Sequence, residues 1–100
     1  MKEITTKQLQ EIINQNPKIK LFDVREPMEY GAGHIPESIN FPLAKVSEFN
    51  FPKDKKYYFI CRSGNRSNQF CNYLNTHGYQ DIINIQGGML EWDGEVVSDF

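Results

Sequence analysis

The feature that most constrains the fold of this chain is the alternation of short apolar runs with segments of helical spacing. The first helix is predicted to begin after Thr5, which can form a capping box with Gln8, and to end at Asn16-Pro17. Later segments alternate in the same way, with predicted strands at 19–24, 38–41, 56–60 and 81–85 and predicted helices at 26–30, 43–49, 67–77 and from Gly87-Gly88 onward. Strands that alternate with helices favour an α/β fold in which a mostly parallel sheet has helices on both faces. We expect the 100 residues to form one domain, 1–100.

One of these predicted strands ends directly at Cys61, and the loop that follows carries Arg62 and Arg66, two of the three arginines of the chain. Gly64 and Asn65 tolerate left-handed backbone angles. Such a loop can turn successive backbone N–H groups inward and form a nest for an anion, with the N-terminus of the next helix behind it. The same N–H groups would stabilise a thiolate. We therefore expect a partly exposed sulfur at Cys61, in an electropositive setting, with a pKa below that of free cysteine.

A second predicted strand also ends at polar residues, Asp23 and Arg25. Ligands of open parallel sheets lie outside the carboxyl ends of the strands, so both strand ends are expected to border one site. Asp23 is expected either to support the cysteine loop or to form an ordinary strand-end turn. Arg25 and Glu29 are spaced i,i+4 and are expected to pair across a short helix. The turn at Gly87-Gly88 follows a third strand end and is expected to shape the rim.

Charge and composition exclude several classes of function. The net charge of −2 argues against a nucleic-acid binder or a binder of anionic membranes. Two cysteines ten positions apart do not form a disulfide framework. No apolar run suits a signal peptide or a membrane span, so a cytoplasmic, reducing location is the expectation, and it keeps Cys61 available as a thiol.

Other side chains with chemical potential are expected to be structural. Cys71 falls on the apolar stripe of the helix after the loop, which favours a core position over a role as resolving cysteine. His34 is expected to make a structural hydrogen bond, and His77 to lie at a helix C-terminus. Neither histidine is accompanied in the sequence by the further ligands that a metal site needs, so no metal and no other cofactor is expected.

Several motifs taken together resemble the rhodanese family. They are FDVREPMEY at 22–30, GHIP at 33–36, CRSGNRS at 61–67, GY at 78–79 and GGMLEW at 87–92. The resemblance implies a rhodanese-like, five-stranded α/β domain and a sulfurtransferase. It places the family's catalytic cysteine at Cys61. It also assigns substrate binding to Arg62, Ser63, Gly64, Asn65 and Arg66, and we expect supporting roles for Asp23, Arg25 and Ser67.

The reaction implied by this resemblance is a double displacement. The thiolate of Cys61 would take the outer sulfur of a small anionic donor such as thiosulfate and become a persulfide. The sulfur would then pass to a thiol or cyanide-like acceptor, or to an acceptor protein. No nucleic acid and no membrane takes part in this scheme.

Two other functions stay open on the sequence alone. The first is an arsenate reductase or cysteine phosphatase, although their familiar pattern has five residues between cysteine and arginine and this chain has four between Cys61 and Arg66. The second is a binding module, or a domain that carries a persulfide to a protein partner with slow thiosulfate turnover.

Overall fold

Five strands form one parallel sheet in the computed structural model, which describes residues 2–100. The strands are β1 (Lys2–Thr5), β2 (Leu21–Asp23), β3 (Ser38–Asn40), β4 (Lys56–Ile60) and β5 (Asp81–Gln86). Their order across the sheet is β1-β5-β4-β2-β3, and all four neighbouring pairs are parallel. The predicted α/β class and the five-stranded parallel sheet are confirmed.

Between residues 2 and 100, three α-helices and one 3-10 helix connect the strands, and a second 3-10 helix follows β5. They are α1 (Thr6–Gln15), α2 (Pro27–Ala32), a 3-10 helix at Leu43–Glu48, α3 (Asn65–Asn75) and a 3-10 helix at Gly88–Leu90. The capping box predicted for α1 is present, because Thr5 Oγ1 accepts from Gln8 N–H while Gln8 Oε1 accepts from Thr5 N–H. The boundaries of α3 were predicted two residues too late. Asn65 and Arg66 therefore belong to the first turn of α3 and not to the loop before it.

Strand β1 was not predicted from the sequence. It has only four residues and pairs on one side only, with β5, so it lies at the edge of the sheet. Its side chains are exposed or half-buried, and it shows no apolar run. A short edge strand of this kind is held by backbone pairing to β5, which local sequence patterns do not report.

The core lies on both faces of the sheet, as the alternating pattern predicted. On one face, Leu9 and Ile13 of α1 pack against apolar side chains of β2, β4 and β5. On the other face, α3 packs against an aromatic cluster in which Phe59 stacks on Phe70 with ring centroids 5.0 Å apart.

Cys71 lies in this second cluster with no exposed surface, and burial raises the pKa of its thiol to about 12. The predicted core position of Cys71 is confirmed.

The C-terminal segment packs against the connection that follows α2. His34 and Val97 form an antiparallel bridge, and the Asp99 N–H donates to Gly31 O at 2.8 Å. The ring of His34 stacks on Tyr30 at 3.8 Å, and His34 Nδ1 lies 2.8 Å from Tyr30 O. These contacts give His34 the structural hydrogen bond that was predicted for it.

The helices between residues 2 and 100 include none with the length and apolar character needed to cross a membrane. The same residues contain no group of three or more histidine, cysteine or acidic side chains placed to hold a metal ion.

Candidate active site

The site is built around the sulfur of Cys61, which directly follows β4 at the carboxyl edge of the sheet. Gly64, with φ at +102°, turns the chain sharply into α3, a conformation that suits glycine. Its N–H donates to Cys61 Sγ at 3.0 Å, and the hydroxyl of Ser67 donates to the same sulfur at 3.4 Å. Ser67 was predicted to support the site indirectly, and it instead contacts the sulfur itself.

The environment of Cys61 lowers the pKa of its thiol below the ordinary value of 9.0. Burial is the largest influence and raises the pKa, but hydrogen bonds from the Ser67 hydroxyl and from the N–H groups of Ser67, Gly64 and Ser63 together outweigh it. The direction agrees with the nest expected from the loop. The arrangement stabilises negative charge on the sulfur.

The expectation of a partly exposed sulfur was wrong. Cys61 is only 1% exposed, because the turn at Gly64 and the start of α3 fold over it. Its neighbours Arg62, Ser63 and Asn65 are all exposed. Cys61 is a member of the aromatic core cluster that contains Phe59 and Phe70, and the exposed residues of the loop follow it directly in the chain.

The turn at Gly87-Gly88 anchors the cysteine loop from the side of β5. Met89 N–H donates to Cys61 O at 2.8 Å, and Leu90 N–H donates to Arg62 O at 3.0 Å. These two bonds orient the carbonyl groups of Cys61 and Arg62 toward the turn. The turn was predicted to shape the rim, and these bonds show that it also fixes the orientation of the loop backbone.

Asn84 is a site residue that the sequence analysis missed. It is 1% exposed on β5, and its Nδ2 lies 3.4 Å from Gly64 O and 3.0 Å from a carboxylate oxygen of Glu3. It therefore holds the carbonyl of the same residue whose N–H faces the sulfur. The available signal was one amide side chain in the otherwise apolar run from Ile82 to Ile85.

Arg66 is paired with a carboxylate that the sequence analysis assigned elsewhere. Its two terminal nitrogens donate to the two oxygens of Glu29, with Nη1–Oε1 at 2.6 Å and Nη2–Oε2 at 2.9 Å. The hydrogen bond from Arg66 is the main cause that lowers the pKa of Glu29 to about 2, and Glu29 raises that of Arg66. The predicted pair of Arg25 with Glu29 is wrong, since the bidentate partner of Glu29 lies on α3.

Arg25 pairs instead with Asp23, at the end of β2. Its Nε and Nη2 donate to the Asp23 carboxylate at 2.9 and 2.8 Å, and both side chains are buried. Arg25 Nη2 also donates to Gly33 O at 2.8 Å. These bonds tie the end of β2 to the connection after α2. The side-chain hydrogen bonds of Asp23 therefore support the segment that carries Glu29, and none of them reaches the cysteine loop.

Arg62 in the loop and Arg66 in the first turn of α3 consequently differ in the charge that they present. Arg62 is exposed and forms no ion pair with any residue from 2 to 100, whereas Arg66 is 30% exposed in its side chain and is neutralised by Glu29. Of the five residues predicted to bind substrate, Ser63 and Gly64 face the sulfur through their N–H groups, Arg62 and Asn65 are exposed, and Arg66 is paired with Glu29. Their role in binding substrate stays a prediction.

A separate concavity lies at the opposite edge of the sheet. It encloses about 600 Å³ and is bordered by residues near the amino ends of β2 and β4, among them Lys20, Lys56 and Tyr57. Five residues of β4 separate this end from Cys61, which corresponds to roughly 15 Å of extended chain. The concavity therefore does not belong to the cysteine site.

The fold and the site define an α/β protein with a hydrogen-bonded cysteine sulfur at the carboxyl edge of a parallel sheet. More particularly, the chain belongs to the family of rhodanese-like domains, whose model matches residues 5–95. This confirms the resemblance drawn from the motifs.

Named relatives agree with that assignment. The chain is 41% identical over 97 residues to the putative sulfurtransferase YtwF of Bacillus subtilis, covering 95% of this chain and 93% of that protein. It is 30% identical over 94 residues to the thiosulfate sulfurtransferase GlpE of Pseudoalteromonas translucida, covering 92% and 89%. A rhodanese-like domain protein from Staphylococcus aureus superposes with a TM-score of 0.86 at 33% identity, covering 95% of this chain and 94% of that one. These relatives support a sulfurtransferase in general terms.

Proposed function

We propose that the protein transfers sulfane sulfur from a small donor, such as thiosulfate or a persulfide, to a thiophilic acceptor through a persulfide on Cys61. The observation that carries this proposal is the hydrogen-bonded sulfur of Cys61, whose pKa is lowered although the side chain is buried. A thiolate is the nucleophilic form of cysteine, so the site needs no separate general base.

The first half of the reaction breaks one S–S bond and forms another. With thiosulfate, the Cys61 thiolate attacks the outer sulfur, a bond forms between the two sulfurs, and sulfite leaves with the electron pair of the broken bond. The product carries the negative charge on its terminal sulfur. The N–H groups that now face Sγ are suited to stabilise this charge, in the manner of an oxyanion hole.

The second half returns the thiolate. A thiol or cyanide-like acceptor attacks the terminal sulfur, and Cys61 leaves as the thiolate that began the cycle. The added sulfur extends about 2 Å beyond Sγ. Since Arg62 and Ser63 directly after Cys61 are exposed, we expect a small acceptor or a protein acceptor to approach this terminal sulfur from the side of the loop.

Intact-protein mass spectrometry after incubation with different donors tests the proposal. The folded protein is expected to gain one sulfur atom from at least one sulfane donor and to lose it again on addition of a thiol. Hydrolysis of an aryl phosphate without any gain of sulfur would instead assign the site to the cysteine phosphatases. A stable persulfide that only a protein acceptor removes would assign it to the carrier function.

The Ser67→Ala variant is expected to react more slowly at pH values below the pKa of its Cys61 thiol. Loss of the hydroxyl removes the leading influence that lowers the Cys61 pKa, so this pKa rises and the thiolate fraction falls. Hydrogen bonds to charged groups contribute about 1.5–3 kcal/mol, and a rate loss of roughly tenfold is expected on the acidic side. The rate of sulfur gain as a function of pH measures the effect, and the profile should shift to higher pH.

Ser63→Ala is the matched control for this variant. Ser63 contributes its backbone N–H to the sulfur, and its exposed hydroxyl makes no hydrogen bond to Cys61 among the described residues. Its pH profile should coincide with that of the unmodified protein. Equal shifts in the two variants would show that the Ser67 hydroxyl has no particular role.

A further inference from the structure

We infer that Glu29 sets the donor preference of the Cys61 site, because its pairing with Arg66 withholds the charge of that arginine from the donor and disfavours dianionic thiosulfate relative to persulfides, which carry at most one negative charge. The inference rests on the proposed sulfur transfer. It assigns a specificity-determining role to a residue outside the loop.

The geometry of the pair supports this role. Both terminal nitrogens of Arg66 are engaged by the two oxygens of Glu29, a bidentate arrangement that fixes the plane of the guanidinium group. Arg66 is the second residue of α3 and lies five positions after Cys61 in the chain, and the negative charge of Cys61 is among the influences that raise the pKa of Arg66. A donor that reaches Cys61 therefore meets Arg66 with its positive charge already compensated.

Glu29 is also held in place from its own side. It lies on α2, and its Oε1 accepts the N–H of Glu26 at 3.0 Å. The segment that carries α2 is tied to β2 by the buried pair of Asp23 with Arg25, through the bond of Arg25 to Gly33 O. The carboxylate is therefore built into the fold and is ionised throughout the physiological range. It does not swing away to release Arg66 without breaking these contacts.

The charge of the donor decides how much this matters. Attack on thiosulfate brings two negative charges beside the Cys61 thiolate, and sulfite leaves with both of them. Attack on the terminal sulfur of a monoanionic persulfide, R–S–S⁻, forms the Cys61 persulfide and releases R–S⁻, so that the total charge in the site is −2 and not −3. The first reaction therefore depends on nearby cations more strongly than the second. With Arg66 compensated, Arg62 remains as the unpaired arginine of the loop.

The Glu29→Gln variant removes the negative charge of this side chain while it keeps nearly the same size and shape. Glutamine retains an oxygen that can accept from Glu26 N–H and from Arg66, but it removes the negative charge. The initial rate of sulfur gain at Cys61 is to be measured with thiosulfate, a dianion, and with the persulfide of 2-mercaptoethanol, which carries at most one negative charge. We expect kcat/KM for thiosulfate to rise about 3- to 10-fold and that for the less charged persulfide to change less than about 2-fold. The gain should diminish as salt is added.

Two further variants control the experiment. Glu11→Gln, on the exposed side of α1, removes one negative charge away from the loop and should leave the ratio of the two donors unchanged. The double variant Glu29→Gln with Arg66→Gln should lose the gain for thiosulfate, because the released charge is no longer there.

The outcomes distinguish this inference from the proposed function. Sulfur gain from both donors with an unaltered ratio in Glu29→Gln would overturn the inference and leave the sulfurtransferase intact. Equal losses with both donors, together with a lower melting temperature, would show that the pair is purely structural. Absence of sulfur gain from any donor in the unmodified protein would overturn the proposed function itself.

Discussion

Replacing Cys61 with serine is expected to abolish the gain of sulfur from every donor. The serine hydroxyl is not ionised at neutral pH even when it receives the hydrogen bonds of Gly64 and Ser67, and it cannot form a persulfide. We expect the rate of sulfur transfer to fall by roughly 10³-fold or more, as when the nucleophile of a covalent mechanism is removed. Intact-protein mass spectrometry and a continuous assay of sulfite release measure this loss.

Cys71→Ala is the matched control, because the chain has only these two cysteines. Cys71 is completely buried, and its pKa of about 12 keeps it protonated. The variant should lose about 1–2 kcal/mol of stability from the small cavity and should still gain one sulfur atom per folded molecule. If Cys61→Ser acquired sulfur while Cys71→Ala did not, the nucleophile would have been assigned to the wrong cysteine.

Local patterns predicted the parts of the fold that local interactions determine. The capping box could be predicted from the sequence because Thr5 and Gln8 lie only three positions apart. The carboxyl-edge position of the cysteine loop followed from the order of strand, loop and helix, and the adjacency of β2 and β4 brings Asp23 within the same edge. These features need no knowledge of distant contacts.

Several of the missed features depend on contacts between distant segments, and the pairing of Arg25 depends on the turn at the end of β2. Glu29 was assigned to Arg25, four positions away, but its partner Arg66 lies 37 positions along the chain. Arg25 in turn pairs with Asp23, because the chain turns at the end of β2 and brings the two side chains into one buried site. Spacing along a short helix predicts which pairs can form, whereas the tertiary structure decides which charges compete for the same partner.

The burial of Cys61 was missed for a related reason. The sequence shows an electropositive loop, and such loops are expected to leave their cysteine partly open. The structure closes the loop with bonds from outside it, through Met89 and Leu90 after β5 and through Asn84 on β5. The lowered pKa survives burial because the N–H groups are turned inward by those same bonds. The orientation of the loop therefore depends on β5 as much as on its own residues.

Replacing Gly88 with alanine is therefore expected to damage both stability and sulfur transfer. Gly88 has φ at +59°, and an added Cβ would meet the carbonyl oxygens of Cys61 and Arg62, lying 2.6 Å from the latter. Both obstacles are backbone atoms, so no side chain can move aside. Strain and overpacking together should cost about 2–5 kcal/mol, and the melting temperature of a chain this size should fall by roughly 10–30 °C.

Gly78→Ala is the control variant, because it strains the backbone at a glycine with positive φ without touching the cysteine loop. Gly78 also has positive φ, at +92°, but its added Cβ would meet only the flexible side chain of Lys53, at 3.3 Å. This variant should lose stability through backbone strain and keep the sulfur-transfer rate per folded molecule.

In Gly88→Ala, measured where the protein remains folded, the carbonyl groups of the loop must shift and the N–H groups move with them, so the Cys61 pKa should rise. Unchanged titration of the thiol in Gly88→Ala would show that the turn contributes to stability alone, and that the loop holds its sulfur-facing geometry without it.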